Sequence, residues 1–197
     1  IIYVSADGTG DGSSWENATN KLQYATALSS GGGTKVWVKK GTYYGDTTDP
    51  EGAFNISESN RIYGSFNGDE APNYDLSLRD FDKNATILDG QGERRVLLQS
   101  QAFSSGREAI WDGFTIQNGA AGSGAGAYLN NYVTLSNCNI VSNAATMFGG
   151  GVYINSTGGT AKVNLTKCTI TDNSASMGGG ACDRIGATYS NCCICNN

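Results

Sequence analysis

Residues 163–175 read VNLTKCTITDNSA, and the same pattern stands at 133–145 as VTLSNCNIVSNAA and at 187–197 as ATYSNCCICNN. In each copy apolar and polar residues alternate, as in Val163-Asn164-Leu165 and Cys168-Thr169-Ile170. Period two is the signature of a strand with one face buried. Superimposing the copies gives columns: Val133, Val163 and Ala187; Leu135, Leu165 and Tyr189; Cys138, Cys168 and Cys192; Ile140, Ile170 and Ile194; Asn143, Asn173 and Asn197. A weaker copy, AIWDGFTIQNG, adds Ala109, Trp111, Phe114, Ile116 and Gly119, so that the four copies are offset by 24, 30 and 24 residues. A second signature follows the weak copy and the first two full copies at a similar distance, Gly-Ala-Gly at 124–126 and Gly-Gly-Gly at 149–151 and 178–180.

Self-similarity at this period belongs to architectures in which a single unit cannot bury its own apolar face and must stack on its neighbours. Leucine-rich and helical repeats need a leucine framework or helical spacing, and neither is present. Short strands with Asn and Gly at the corners give an all-β fold, a single-stranded right-handed parallel β-helix, or solenoid. The Asn column is expected to be an internal side-chain ladder, and the Cys column to hold free thiols acting as small buried hydrophobes. The six extra residues of the longer repeat are assigned to the polar segment 155–160. Residues 1–35 are expected to form a strand and a capping helix, and residues 36–197 the coils.

The helix is placed over 13–29, with Ser13 and Glu16 at capping-box spacing and Leu22, Ala25 and Leu28 on one face. Its expected role is to cover the first coil, because a solenoid end exposes its core and its strand edges. Two polar stretches, 45–52 and 67–84, are expected to project as loops and form the first surface to consider for binding. The C-terminal coil carries no capping element of its own, and the corresponding expectation is either a natural chain that continues or head-to-tail self-association through that coil.

Composition narrows the function. The 197 residues include 28 Gly and only 2 Pro, carry 16% charged residues and have a net charge of −5. A packed domain follows, and nucleic acid or anionic membrane surfaces are disfavoured as partners. No segment has the length and apolarity to insert in a membrane. The glycine runs lack the Gly-Lys-Ser/Thr and helix that a phosphate loop requires. Low charge and an Asn/Thr/Gly-rich surface point to a secreted or cell-surface location. Five Asn-X-Ser/Thr sequons, at Asn17, Asn55, Asn84, Asn155 and Asn164, are frequent enough in so Asn-rich a chain to arise by chance.

The opening IYVSADGTGDGSSWENAT, followed by VWVKKGTYY, IYGSFNG, TILDGQG, DGFTIQNG and the pairing of CTITDNSA with GGG, resembles the secreted bacterial right-handed parallel β-helix proteins, including those with polymorphic outer-membrane-protein-type repeats. The resemblance implies the fold over nearly the whole chain. It leaves the function open, since that group includes adhesins, surface proteins and polysaccharide-degrading enzymes.

The expected function is a scaffold for adhesion, surface structure or carbohydrate binding, with exposed Trp37, Tyr43 and Tyr44 stacking on sugar rings of a polysaccharide or cell-surface glycan. The alternative is a calcium-assisted polysaccharide lyase. For that chemistry Asp89 and Asp112 would supply carboxylates, and Arg94 and Arg95 would neutralise a uronate. The acidic and histidine motifs of polygalacturonase-like β-helices are missing, and the absence of any His excludes Ser-His-Asp and Cys-His catalysis. No cofactor is expected. Calcium is the candidate ion, with Asp7, Asp11 and Glu16 as its weak ligands, although their spacing fails the EF-hand pattern. The Cys192, Cys193 and Cys195 cluster lacks the spacing of a zinc pair.

Overall fold

The computed structural model describes residues 1–45, 51, 54–155, 162–184 and 186–197. It is a parallel β-solenoid whose chain visits three faces in turn. The first face is a seven-stranded sheet that runs from Ile2–Val4 through Val36–Lys39, Arg61–Phe66, Ala109–Asp112, Val133–Ser136 and Val163–Thr166 to Thr188–Ser190. The second has six strands, from Gly41–Tyr43 to Cys193–Cys195, and the third has five, from Phe54–Asn55 to Ala181–Asp183. Every pairing between these strands is parallel, so each coil sits over the one before it.

The repeat columns are the structural columns. Val133 lies between Ala109 and Val163, Leu135 between Trp111 and Leu165, and Ile140 between Ile116 and Ile170. All of these are 0–1% exposed and share one continuous core. Cys138 and Cys168 are buried in that core, Cys192 is partly buried, and all three are free thiols. The hydrogen-bonded neighbour Cys168, and then burial, hold the Cys138 thiol well above the usual range.

The Asn ladder forms as the sequence implies. The Asn143 Nδ2 donates to Asn173 Oδ1 at 2.9 Å, and Asn173 Nδ2 donates to Asn197 Oδ1 at 3.0 Å. The left-handed corner falls one residue earlier, at Asn118, Ser142, Asp172 and Asn196, each with φ between 52° and 57°. The ladder residues therefore satisfy backbone groups around the corner while their neighbours make it. Two glycine columns have separate causes. Gly124, Gly149 and Gly178 have φ of 57–67°, whereas a Cβ on Gly126 or Gly151 would stand 2.4–2.5 Å from the carbonyl oxygen of the next glycine in the column.

Two expectations need correction. The helix spans only Leu22–Leu28, and neither Ser13 nor Glu16 caps it. Thr19 is held against the first strand, accepting from Ser5 N–H and donating to the Tyr3 carbonyl, so the chain cannot turn helical before it has passed that point. Ser13 and Ser14 are instead used in local turns with Asp11 and Asn17. The end of the stack is thus covered by two devices: the segment around Thr19 pairs the open edge of the first strand, and Leu22 and Ala25 of the helix close the core.

The second correction concerns 67–84, which does not project. Tyr74 and Leu76 pack on a separate outer cluster made by Tyr3, Ala18, Trp37 and Phe66, with Trp15 and Tyr63 around it. Phe66 reaches this outer side through a register shift beside Ser65, whose φ is 65°. Arg79 fastens the layer: it bonds the carbonyls of Gly64 and Leu76 at 2.9 Å each, pairs with Asp112 at 2.7 Å, and lies over the rings of Tyr63, Phe66 and Phe81. Of the other polar stretches, residues 46–50, 52–53 and 156–161 lie outside the described residues. Among the described residues no helix is long and apolar enough to cross a membrane.

Candidate functional site

A groove of about 660 Å³ runs between the helix and the first strand of the second face. Its position follows from how the helix is docked. Asn60, fully buried, donates to the Thr26 carbonyl and to Ser29 Oγ at 2.8 and 2.7 Å, fixing the C-terminal end of the helix. Gln23 Oε1 accepts the Asn55 N–H at 2.8 Å, fixing the other. With Leu22 and Ala25 turned into the core, Tyr24 is turned out and is 59% exposed. The opposite wall is Thr42–Gly45, in which Tyr44 is 49% exposed.

Tyr43 and Phe54 form the floor, at 5% and 1% exposure. Tyr43 spends its hydroxyl on the Lys39 carbonyl at 2.8 Å, and burial drives its phenol far above the usual range. Asn20, Gln23 and Thr42 add amide and hydroxyl groups, and Lys21 is the one formally charged residue among the described lining. Asn20, Lys21 and Tyr24 also line a second cleft, of about 420 Å³, beside Gly8–Asp11. Tyr24 is therefore a ridge with a cleft on either side. Such a surface offers aromatic faces and neutral hydrogen-bonding groups along an extended path, with little fixed charge.

The aromatic residues expected to be exposed divide sharply. Trp37 does point away from the core, but the outer layer buries it to 2% exposure, stacked on Phe66 at 4.6 Å. Tyr43 is buried in the floor of the groove. Only Tyr44 presents a free face, and Tyr24, which helical periodicity alone would have found opposite Leu22 and Ala25, joins it. Phe81, Thr115 and Asn139 border a smaller cleft of about 230 Å³ between the outer layer and the stack.

The four lyase candidates occupy different places. Asp112 is engaged by Arg79 and by Asn137 Nδ2 at 3.0 Å on the first face. Asp89, on the second face, accepts from Gln91 N–H, Gln117 Nε2 and Asn118 Nδ2 at 2.7–2.9 Å. Burial alone would raise its carboxyl, but these donors outweigh burial and hold it below the ordinary range. Arg95 gives its bonds to the carbonyls of Glu51, Ser123 and Gly124 and lies over Tyr128. Arg94 pairs with Glu93, and its Nη1 is buried with no partner among the described residues. Among the described residues, no hydrogen bond or ion pair joins any two of these four.

Asp7, Asp11 and Glu16 behave as turn residues. The Ser5 hydroxyl donates to Asp7 and lowers its carboxyl; donors at Ser13 do the same for Asp11. Among the described residues no three His, Cys, Asp or Glu side chains converge as ligands for one ion. Comparison of the chain with family models, curated proteins and solved structures returns no match.

Proposed function

We propose that the protein is an exported β-solenoid scaffold that binds a neutral polysaccharide or cell-surface glycan across the Tyr24 ridge. The observation that carries this reading is the pair of exposed tyrosines, Tyr24 and Tyr44, flanking a groove of about 660 Å³ whose remaining described lining is largely amide, hydroxyl and apolar. Sugar rings offer flat C–H faces to aromatic side chains and a rim of hydroxyls to amides, which is the chemistry this groove presents. A second cleft beyond the ridge favours a chain of several sugar units over a single one. The rigid stack beneath supports the reading, because a site that does not reorganise loses little entropy on binding.

The test is a glycan array followed by calorimetric titration with oligosaccharides of increasing length. Affinity is expected to rise with length until both clefts are filled. Tyr24→Ala and Tyr44→Ala should each weaken binding by roughly tenfold, about 1.4 kcal/mol. Wild-type levels of binding in the Tyr24→Ala/Tyr44→Ala double variant would defeat the assignment.

A further inference from the structure

The outer surface of the second face carries side chains in two parallel columns. Thr115, Asn139, Thr169 and Cys193 make one; Gln117, Val141, Thr171 and Cys195 make the other. Ile194, between the two cysteines, continues the inward column of Ile116, Ile140 and Ile170. Cys193 and Cys195 are consequently on one side of one strand, both exposed, with their sulfurs 3.2 Å apart. The core explains Cys138, Cys168 and Cys192, which fill space and donate to backbone carbonyls. Core packing does not explain the outward pair, where the preceding coils use hydroxyls, amides and a single valine, Val141.

We propose that Cys193 and Cys195 form a two-thiolate seat for a soft, thiophilic d10 metal cation. Each thiol surrenders its proton to solvent, two sulfur–metal bonds form, and nothing is oxidised or reduced; water fills the remaining coordination positions. Geometry favours this over a disulfide. A tetrahedral centre with metal–sulfur bonds of about 2.3 Å sets two sulfurs about 3.8 Å apart, a small outward swing for exposed side chains. A disulfide must close to about 2.05 Å across Cα atoms that stand about 6.6 Å apart in an extended strand, near the upper end of the usual range of about 4.4–6.8 Å. The ladder above, through Thr169, Ile170 and Thr171, holds the strand in that extended form. The two sulfurs are also already neighbours, 3.2 Å apart on one side of one strand.

The experiment is an anaerobic titration of the reduced full chain with Cd(II), followed through the ultraviolet thiolate-to-cadmium charge-transfer band. The band should saturate at one ion per chain and survive Cys182→Ser. Cys193→Ser and Cys195→Ser should each weaken cadmium binding by roughly tenfold or more while circular dichroism stays unchanged, since neither side chain is in the core. Absence of the band in the wild-type chain, its persistence in the Cys193→Ser/Cys195→Ser double variant, or a Cys193–Cys195 disulfide in the unreduced protein by mass spectrometry would each overturn the proposal.

Discussion

Removing one rung of the Asn ladder should cost far more in the middle than at the exposed end. Asn173 is 2% exposed and takes part in five side-chain bonds: it accepts from Asn143 N–H and Nδ2 and donates to Ile140, Thr171 and Asn197, all at 2.9–3.0 Å. In Asn173→Ala the Asn143 Nδ2 keeps two other acceptors, the carbonyls of Ile116 and Val141. The Asn143 N–H loses the acceptor that the ladder gave it. A buried N–H left without a partner costs about 2 kcal/mol, and four further bonds at a net ~0.5 kcal/mol each bring the expected loss to about 4 kcal/mol. Asn197 is exposed, so water replaces its partners, and Asn197→Ala should lose only about 1 kcal/mol.

Urea unfolding followed by far-ultraviolet circular dichroism measures both. Amide exchange adds the local reading, because solenoids open coil by coil and not only as a whole. The Asn143 amide should lose protection by roughly a thousandfold in Asn173→Ala, the equivalent of about 4 kcal/mol. Equal losses in the two variants, or a loss below about 1.5 kcal/mol in Asn173→Ala, would refute the ladder as a source of stability.

Two other perturbations separate the outer layer from the stack and test an acid-sensitive corner. Arg79→Ala leaves Asp112 without its cation and the outer rings without their clamp, and should destabilise the outer layer by about 3 kcal/mol. Tryptophan emission should shift red as water reaches Trp15 and Trp37, while the β-sheet ellipticity persists; an unshifted spectrum would show that Arg79 does not hold the layer. The Asp89 carboxyl is lower in the fold than in the unfolded chain, so its contribution to stability is complete above about pH 4 and drains away as pH falls through the folded value. Asp89→Asn should flatten the acid side of the urea-midpoint profile, and an unchanged slope would mean that the Gln117 and Asn118 amides do not select the ionised form.

The architecture was legible because the fold is built from register. Residues 30 positions apart must coincide for Leu135 to lie on Leu165 and Ile140 on Ile170, and a strand that slipped by one residue would turn its whole apolar set to solvent. That requirement is written into the period, so the columns, the core and the Asn ladder could be read from the chain alone. The fate of outward residues is not written there. Period two says that Trp37 points away from the core, yet whether it meets water or is covered depends on the register shift that turns Phe66 outward and on the 67–84 segment that folds back over it, and no local pattern encodes either.

The same distinction governs the site. Sequence alone determined a stack of parallel coils, a buried thiol column and an N-terminal cover, since each follows from alternation and from the need to hide a core edge. Tertiary structure alone decided that Tyr24 and Tyr44 share a groove, that Asp112 is committed to Arg79, and that Cys193 and Cys195 stand 3.2 Å apart on an open face. Periodicity specifies which way a side chain points. What it meets there depends on long-range packing between segments that share no period.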